Sequence, residues 1–170
     1  MERRSFLKRV TKVLAAVFGV VLGIPALSFL VDPRNRPARS GGFKRVARLN
    51  ELAILITARH WTAQYEWYAH RRLAIQAGLS AATADAIAAG RRPSSMTSDE
   101  EAVYNFGTEL LDTKQVRDTT FQAIVSKFGE QGVVDLVGVM GYYHLVSMLL
   151  NVDRYPLPAG VKPELLPLRQ

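Results

Sequence analysis

The chain has 170 residues, of which 48% are hydrophobic, 22% are charged and none is cysteine. This length accommodates one domain with a hydrophobic core and an appendage. The missing cysteines exclude disulfide scaffolds, cysteine-ligated zinc or iron–sulfur sites, and thiol peroxidases, because each of these needs cysteine sulfur.

The positive net charge of +7 is concentrated near the N-terminus. Residues 1–48 hold 11 of the 22 Lys and Arg residues but only two of the 15 acidic residues, so they carry +9 and the remainder carries −2. A domain with a slight negative charge repels phosphate. We therefore predict no nucleic-acid partner.

The first 42 residues have the composition of a targeting segment followed by a linker. A basic head at residues 2–8 (ERRSFLK) precedes an uncharged stretch from Val13 to Val31 and a segment rich in Pro, Arg and Gly at 32–42. The head resembles a twin-arginine export signal, with Glu2 at a position where Ser or Thr is usual. This resemblance implies the twin-arginine translocase as a partner.

The uncharged stretch is long enough to cross a bilayer as a helix. Cleavage after Ala26-Leu27-Ser28 is one outcome, but the apolar run continues to Val31, which favours retention as a membrane anchor. Five basic residues precede the run and three closely follow it, which predicts a domain on the outer, periplasmic face of a bacterial inner membrane. Residues 24–30 and 42–49 also resemble the leader and hinge of Rieske subunits, a resemblance limited to the anchor because a Rieske cluster needs cysteine.

From Asn50 onward the sequence predicts helices and no strands. Glycine residues and capping signals mark the ends of the expected helices. The first three are a helix around 52–56, a long helix Trp61–Ala77 and a short helix between Ser80 and Gly90. The next three run from the capping box of Thr97 and Glu100 to about Thr113, from Asp118 to Gly129, and from about Gln131 to Asn151. No alternation of strand period separates these signals. We predict an all-α domain of about five to six helices at 43–155, followed by an extended proline-rich tail at 156–170.

The last predicted helix has no formal charge from Leu136 to Val152, and two interpretations are open. A second membrane span is one of them. Small and polar residues such as Gly138, Gly141 and Ser147 instead favour a helix of the core or of a subunit interface, where small side chains allow close packing.

Most of the candidate chemistry lies in residues 59–75. On a helix, Ala63, Glu66 and His70 fall on one stripe, with Glu66 and His70 a single turn apart. A carboxylate beside an imidazole sets its tautomer and raises its pKa, as a general acid or base near neutral pH requires. The alternative interpretation is a surface pair that contributes about a few tenths of a kcal/mol.

With Glu51, nineteen residues before His70, this stretch resembles the carboxymuconolactone decarboxylase family, whose redox branch comprises the AhpD-type alkylhydroperoxidases. The redox branch has a glutamate, eleven residues, and then Cys-x-x-Cys-x-x-x-His. Here Glu51 and His70 match the glutamate and the histidine, while Ala63 and Glu66 occupy the two cysteine positions. The resemblance extends from Asn50 to about Asp153 and is to the cysteine-free branch.

The resemblance implies an AhpD-like fold, a homo-oligomer (trimer or hexamer), and a lyase of aromatic degradation that uses no cofactor and no metal. Its substrate would be a small carboxylated lactone or oxo-acid, with γ-carboxymuconolactone the substrate that names the family. Such a decarboxylation needs donors at the lactone carbonyl and an acid that protonates carbon. We assign His70 as the proton donor, Glu66 as its orienter and Glu51 as a second carboxylate of the same cavity. The expected substrate-binding residues are Arg59, Tyr65 and Arg71, with Arg72 as an alternative to either arginine.

Two other functions stay open. A non-catalytic, membrane-tethered oligomeric module would keep the helical core, and in it Glu51 would be exposed or paired with an arginine such as Arg48. A metal site would need His60 together with Glu51, Glu66 and His70, but two ligands on one helix are only half a site. Six aromatic residues either wall the cavity or pack between helices, packing being the usual outcome at helical spacing: Trp61, Tyr65, Trp67, Tyr68, Tyr142 and Tyr143.

Overall fold

The computed structural model describes residues 40–166, with side chains from residue 45 onward. The predicted export signal and membrane anchor lie outside the described residues. Within 40–166 the chain is helical and contains no strand, which confirms the predicted all-α class. The five helices of this part are α1 (Ser40–Trp61), α2 (Gln64–Gln76), α3 (Ala81–Ala88), α4 (Ser98–Thr113) and α5 (Asp118–Asp153).

Helix α1 is the centre of the domain, because it contacts each of the other four helices. Every residue from Leu52 to Arg59 is buried, so this part of α1 has no solvent face. A helix that is apolar on all sides requires cover on all sides. One polar side chain within it, Thr57, satisfies its hydroxyl by donating to the carbonyl oxygen of Ala53 at 3.0 Å.

Ion pairs join the start of α1 to the first turn of α4. Arg45 lies 2.7 Å from Asp99, and Arg48 lies 2.9 Å from Glu100. Acidic residues are favourable at a helix N-terminus because of the helix dipole. The same turn carries the predicted capping box, in which the Thr97 hydroxyl accepts from the Glu100 N–H and the Glu100 carboxylate accepts from the Thr97 N–H.

The predicted helix Trp61–Ala77 is wrong at its start. Thr62 has a positive φ of 49°, and the Ala63 N–H donates to the carbonyl oxygen of Ala58 in a tight turn between α1 and α2. Ala63 is therefore the extended N-cap of α2 and lies outside the helical stripe of Glu66 and His70. A β-branched residue rarely takes this conformation, so the sequence contains no ordinary turn signal here.

Helix α5 is interrupted where the sequence predicts a boundary. Gly129 has φ 73° and ψ 177°, which divides α5 into helical segments at 118–128 and 130–153. In the second segment Leu136, Met140 and Ser147 are buried and share one face. By length and composition α5 is the one helix of the described part that could cross a membrane. Three residues of this second segment are buried, while most of its side chains are exposed or half-buried.

The tail after α5 is not helical up to residue 166, in keeping with its prolines. Leu165 in this tail is held by Gln64 of α2. The Gln64 amide donates to the carbonyl oxygen of Leu165 at 2.6 Å and accepts from the Leu165 N–H at 3.2 Å. The Leu165 side chain is buried in the core, only 2% exposed. Proline content does not indicate this insertion.

We expect Leu165→Ala to lower the free energy of unfolding by about 2–4 kcal/mol, because it removes a buried side chain and leaves a cavity. Leu166→Ala is the matched control, since the neighbouring leucine is 70% exposed, and it should change stability by less than about 0.5 kcal/mol. Denaturant unfolding of the detergent-solubilised full chain measures both. Equal effects of the two substitutions would show that the tail does not dock.

Candidate active site

Glu51 of α1 and His70 of α2 form a direct hydrogen bond. The two atoms are Glu51 Oε2 and His70 Nδ1, 2.9 Å apart, and the side chains are 17% and 16% exposed. The bond makes Nδ1 the protonated ring nitrogen that donates to the carboxylate. His70 therefore keeps Nε2 for proton exchange with another molecule.

Glu66 does not hydrogen-bond to His70, although we expected it to orient the histidine. Its Oε2 accepts from the hydroxyl of Ser147 on α5 at 2.8 Å. The two α2 side chains start one turn apart, but one bonds to α1 and the other to α5. The orienting contact therefore comes from Glu51.

The Glu66 carboxyl is buried, only 2% exposed. Burial raises its pKa to about 7, while the Ser147 hydrogen bond and the nearby His70 act in the opposite direction. Within residues 45–166, its second oxygen, Oε1, has no hydrogen-bond partner. A carboxyl group with a pKa near neutrality can both give and take a proton at physiological pH.

Tyr143 of α5 completes this cluster. Its ring stands edge-on to the His70 ring, with centroids 4.8 Å apart. Burial, and then the negative charges of Glu51 and Glu66, raise the pKa of Tyr143 to about 12. The phenol therefore stays protonated at neutral pH and can donate a hydrogen bond. Glu51, Glu66, His70 and Tyr143 together form what we call the acid–base cluster.

Sequence reasoning missed Ser147 and gave Tyr143 no specific role. The available signal is their spacing, since they stand four residues apart and so share one face of a helix. Both lie in the uncharged run of α5, where polar groups need partners once they are buried. The spacing does not predict which helix packs against that face of α5.

The two arginines predicted to bind substrate contact the protein itself. Arg59 donates from Nη1 to the carbonyl oxygen of Leu166 at 2.6 Å. Arg71 lies 2.7 Å from Asp85 and 3.2 Å from Glu164, and the hydrogen bond to Asp85 raises the pKa of Arg71. The structure thus joins both guanidinium groups to the tail, through Leu166 and Glu164, and not to the acid–base cluster among the contacts of residues 45–166.

Tyr65 and His60 also lie in other contacts. The Tyr65 ring packs against Tyr155 at a centroid distance of 4.6 Å. His60 stands edge-on to His144, 5.7 Å between centroids, and the Trp61 indole N–H donates to His144 Nδ1 at 2.6 Å. The four-residue metal site considered from the sequence is not assembled in this structure. Among the described residues, no group of three or more potential metal ligands occurs.

The raised pKa of Glu66 predicts a pH-dependent cost in stability. The folded state binds a proton that the unfolded state releases between about pH 4.5 and 7, so stability falls as pH rises through that window. Glu66→Gln removes this cost, and we expect the variant to gain up to about 3 kcal/mol on the parent across the window.

Denaturant unfolding of the full chain at several pH values measures that difference. Glu130→Gln is the control, because it removes a carboxylate at an exposed position of α5. A stability difference between Glu66→Gln and the parent that stays constant from pH 4.5 to 7.5 would contradict the assignment.

Comparison with known proteins does not assign the chain to a family. No model of a known family, no curated protein and no solved structure matches it. The resemblance to the carboxymuconolactone decarboxylase family therefore rests on the sequence spacing of Glu51, Glu66 and His70. The functional inference therefore depends on these residues and on the geometry of the acid–base cluster.

Proposed function

We propose that the chain is a cysteine-free relative of the carboxymuconolactone decarboxylase family. We further propose that it acts as a cofactor-independent lyase on a small carboxylated lactone or oxo-acid. The supporting observation is the acid–base cluster itself. Two residues nineteen positions apart, Glu51 and His70, are hydrogen-bonded beside a buried carboxyl whose pKa is about 7.

The proposed reaction needs a proton donor and an electron acceptor. The carbon–carbon bond to the carboxylate breaks, carbon dioxide leaves, and the electron pair passes into the conjugated lactone carbonyl. A ring carbon then takes a proton from the enzyme, and solvent water restores that proton. In this proposal the protonated hydroxyl of Tyr143 donates to the oxygen on which negative charge develops.

In this proposal the imidazolium form of His70 gives a proton from Nε2 and becomes neutral, while Glu51 accepts from Nδ1 throughout and holds the ring. Glu66 contributes in a different way. Because its pKa lies near neutrality, part of the population is uncharged at pH 7 and does not repel an anionic substrate.

The contact made by Glu51 separates this proposal from the non-catalytic module. A module without a working site predicts an exposed Glu51 or a pair with Arg48. Arg48 instead pairs with Glu100 at 2.9 Å, and Glu51 bonds to His70. Both contacts favour a site in which the carboxylate serves the imidazole.

An exposed apolar face on α5 supports a second proposal, that the domain forms a homo-oligomer. The face lies away from buried Leu136 and Met140 and holds exposed Val134, Val137, Gly138, Gly141, Met148 and Val152. Side chains of another subunit can approach closely at Gly138 and Gly141, because nothing lies within 4 Å of the position a Cβ would take there. The trimers or hexamers of the resembled family would place this face between subunits.

We further propose that the N-terminal segment carries the domain to the periplasmic face of the inner membrane. The proposal rests on the basic head and the uncharged stretch of the sequence. The −2 charge of the remaining chain agrees with it, because that part has no electrostatic attraction to anionic lipid.

We expect His70→Ala to lower the turnover of γ-carboxymuconolactone by about 10²–10⁴-fold, because it removes the proton donor. The measurement is loss of lactone absorbance and release of carbon dioxide by the detergent-solubilised full chain, across a set of small lactones and oxo-acids. His144→Gln is the control, since this second histidine contacts Trp61 outside the cluster, and it should keep the parent rate. If His70→Ala turns over substrate at the parent rate, His70 is not the proton donor. If the parent turns over none of the compounds, the result supports the non-catalytic oligomeric module instead.

We expect the double substitution of Val137 and Met148 by Lys to convert the oligomer to smaller species, because it places charges on the proposed interface. Light scattering coupled to size-exclusion chromatography of the solubilised chain measures the mass. The matched control is Gln122→Lys with Ser126→Lys, at exposed positions of the first segment of α5. An unchanged mass in the Val137 and Met148 variant rules out this face as the interface.

A further inference from the structure

A cavity of about 340 Å³ with a mixed polar and apolar lining lies between α1, α3 and α4 and shares no lining residue with the acid–base cluster. Three of its lining residues are arginines, Arg59, Arg91 and Arg92, and one is an acid, Asp112. Its volume is in the range of small-molecule sites. The proposed lyase reaction does not involve the side chains that line this cavity.

Arg59 is the most informative residue of this cavity. It is 7% exposed, and its Nη1 donates to the carbonyl oxygen of Leu166. Its Nε is buried and has no hydrogen-bond partner within residues 45–166. Burial lowers the pKa of Arg59, but an arginine stays protonated at physiological pH. A buried guanidinium cation in the wall of a cavity is stabilised by an anion bound in that cavity.

The other two arginines lie at the mouth of the cavity, directly after Gly90. Gly90 has a positive φ of 67°, which turns the chain out of α3. Arg92 is held in place because it donates to Glu101 and to Asn105, each at 2.6 Å. Arg91 is exposed and makes no such contact in the described part of the chain, so its guanidinium can turn toward a bound molecule.

Further polar groups line the same cavity. Burial lowers the pKa of His60; the charge of Lys114 acts in the same direction, and that of Asp112 acts in the opposite one. The Thr108 hydroxyl donates to the carbonyl oxygen of Tyr104 at 2.7 Å and keeps an acceptor lone pair. Asp112 can accept from a ligand hydroxyl. The lining therefore suits a molecule that carries both an oxyanion and a hydroxyl group.

We propose that this cavity is a binding site for a small organic oxyanion, a carboxylate or a phosphate monoester, held by Arg59 and Arg91. Planar guanidinium groups bind either oxyanion through paired hydrogen bonds. Arg92 also lines the site, but its guanidinium is already paired with Glu101. The proposal does not depend on the lyase reaction, because it concerns different side chains and a different measurement.

The test is binding of two probes, inorganic phosphate and succinate, to the detergent-solubilised full chain. Isothermal titration gives the affinity, with sodium chloride at matched ionic strength as the reference. We expect saturable binding of at least one probe and a loss of about ten-fold or more in affinity for Arg91→Gln. This variant is preferred because Arg91 is exposed and its replacement leaves the core intact.

Two further variants sharpen the result. Arg59→Gln should abolish binding, with a thermal unfolding midpoint recorded alongside to show that it folds. Arg154→Gln removes a positive charge from the end of α5 and should bind like the parent. Binding of phosphate alone, or of succinate alone, assigns the ligand class and supports the proposal. No binding of either probe, or equal affinity in the parent and Arg91→Gln, overturns it.

Discussion

The burial of residues 52–59 of α1 on all sides is the constraint on which the rest of the domain depends. A helical segment with no solvent face cannot be stable alone, so other helices must cover it, and α2 to α5 all contact α1. The cover is apolar around Leu52 and Leu55. It is polar where α1 carries Glu51, which bonds to His70, and Arg59, which donates to the carbonyl oxygen of Leu166. The acid–base cluster and the arginine-lined cavity lie at these two positions of α1.

The acid–base cluster illustrates how this constraint positions polar side chains. Glu51 reaches His70 only because α2 turns back along α1 after the tight turn at Thr62. Glu66 is placed in an apolar environment by the same packing, with a single hydroxyl, that of Ser147, as its donor. The low-dielectric surroundings that raise its pKa are a result of closing the core. The pKa of Glu66 therefore depends on the stable packing of the helices around it.

The sequence predicted the all-α class and several helix boundaries because these depend on local chemistry. Thr97 with Glu100, and Gly129, each carry a signal that acts within a few residues. The turn at Thr62 was missed because no glycine or proline marks it. The pairing of Glu51 with His70, rather than Glu66 with His70, was missed because helical spacing gives the face of a side chain and not its partner. Docking of Leu165 depends on contacts between distant parts of the chain and has no local signature.

Docking of the tail gives one of the two tryptophans a hydrogen-bond partner in the C-terminal segment. The chain contains two tryptophans, and the indole N–H of Trp67 donates to Glu164 in the tail at 3.0 Å. The indole N–H of the other, Trp61, donates to His144 and is independent of the tail. The emission of Trp67 is therefore an intrinsic optical reporter of whether the C-terminal residues are seated, with Trp61 as an internal reference. Release of the tail can be followed in time without attaching any dye.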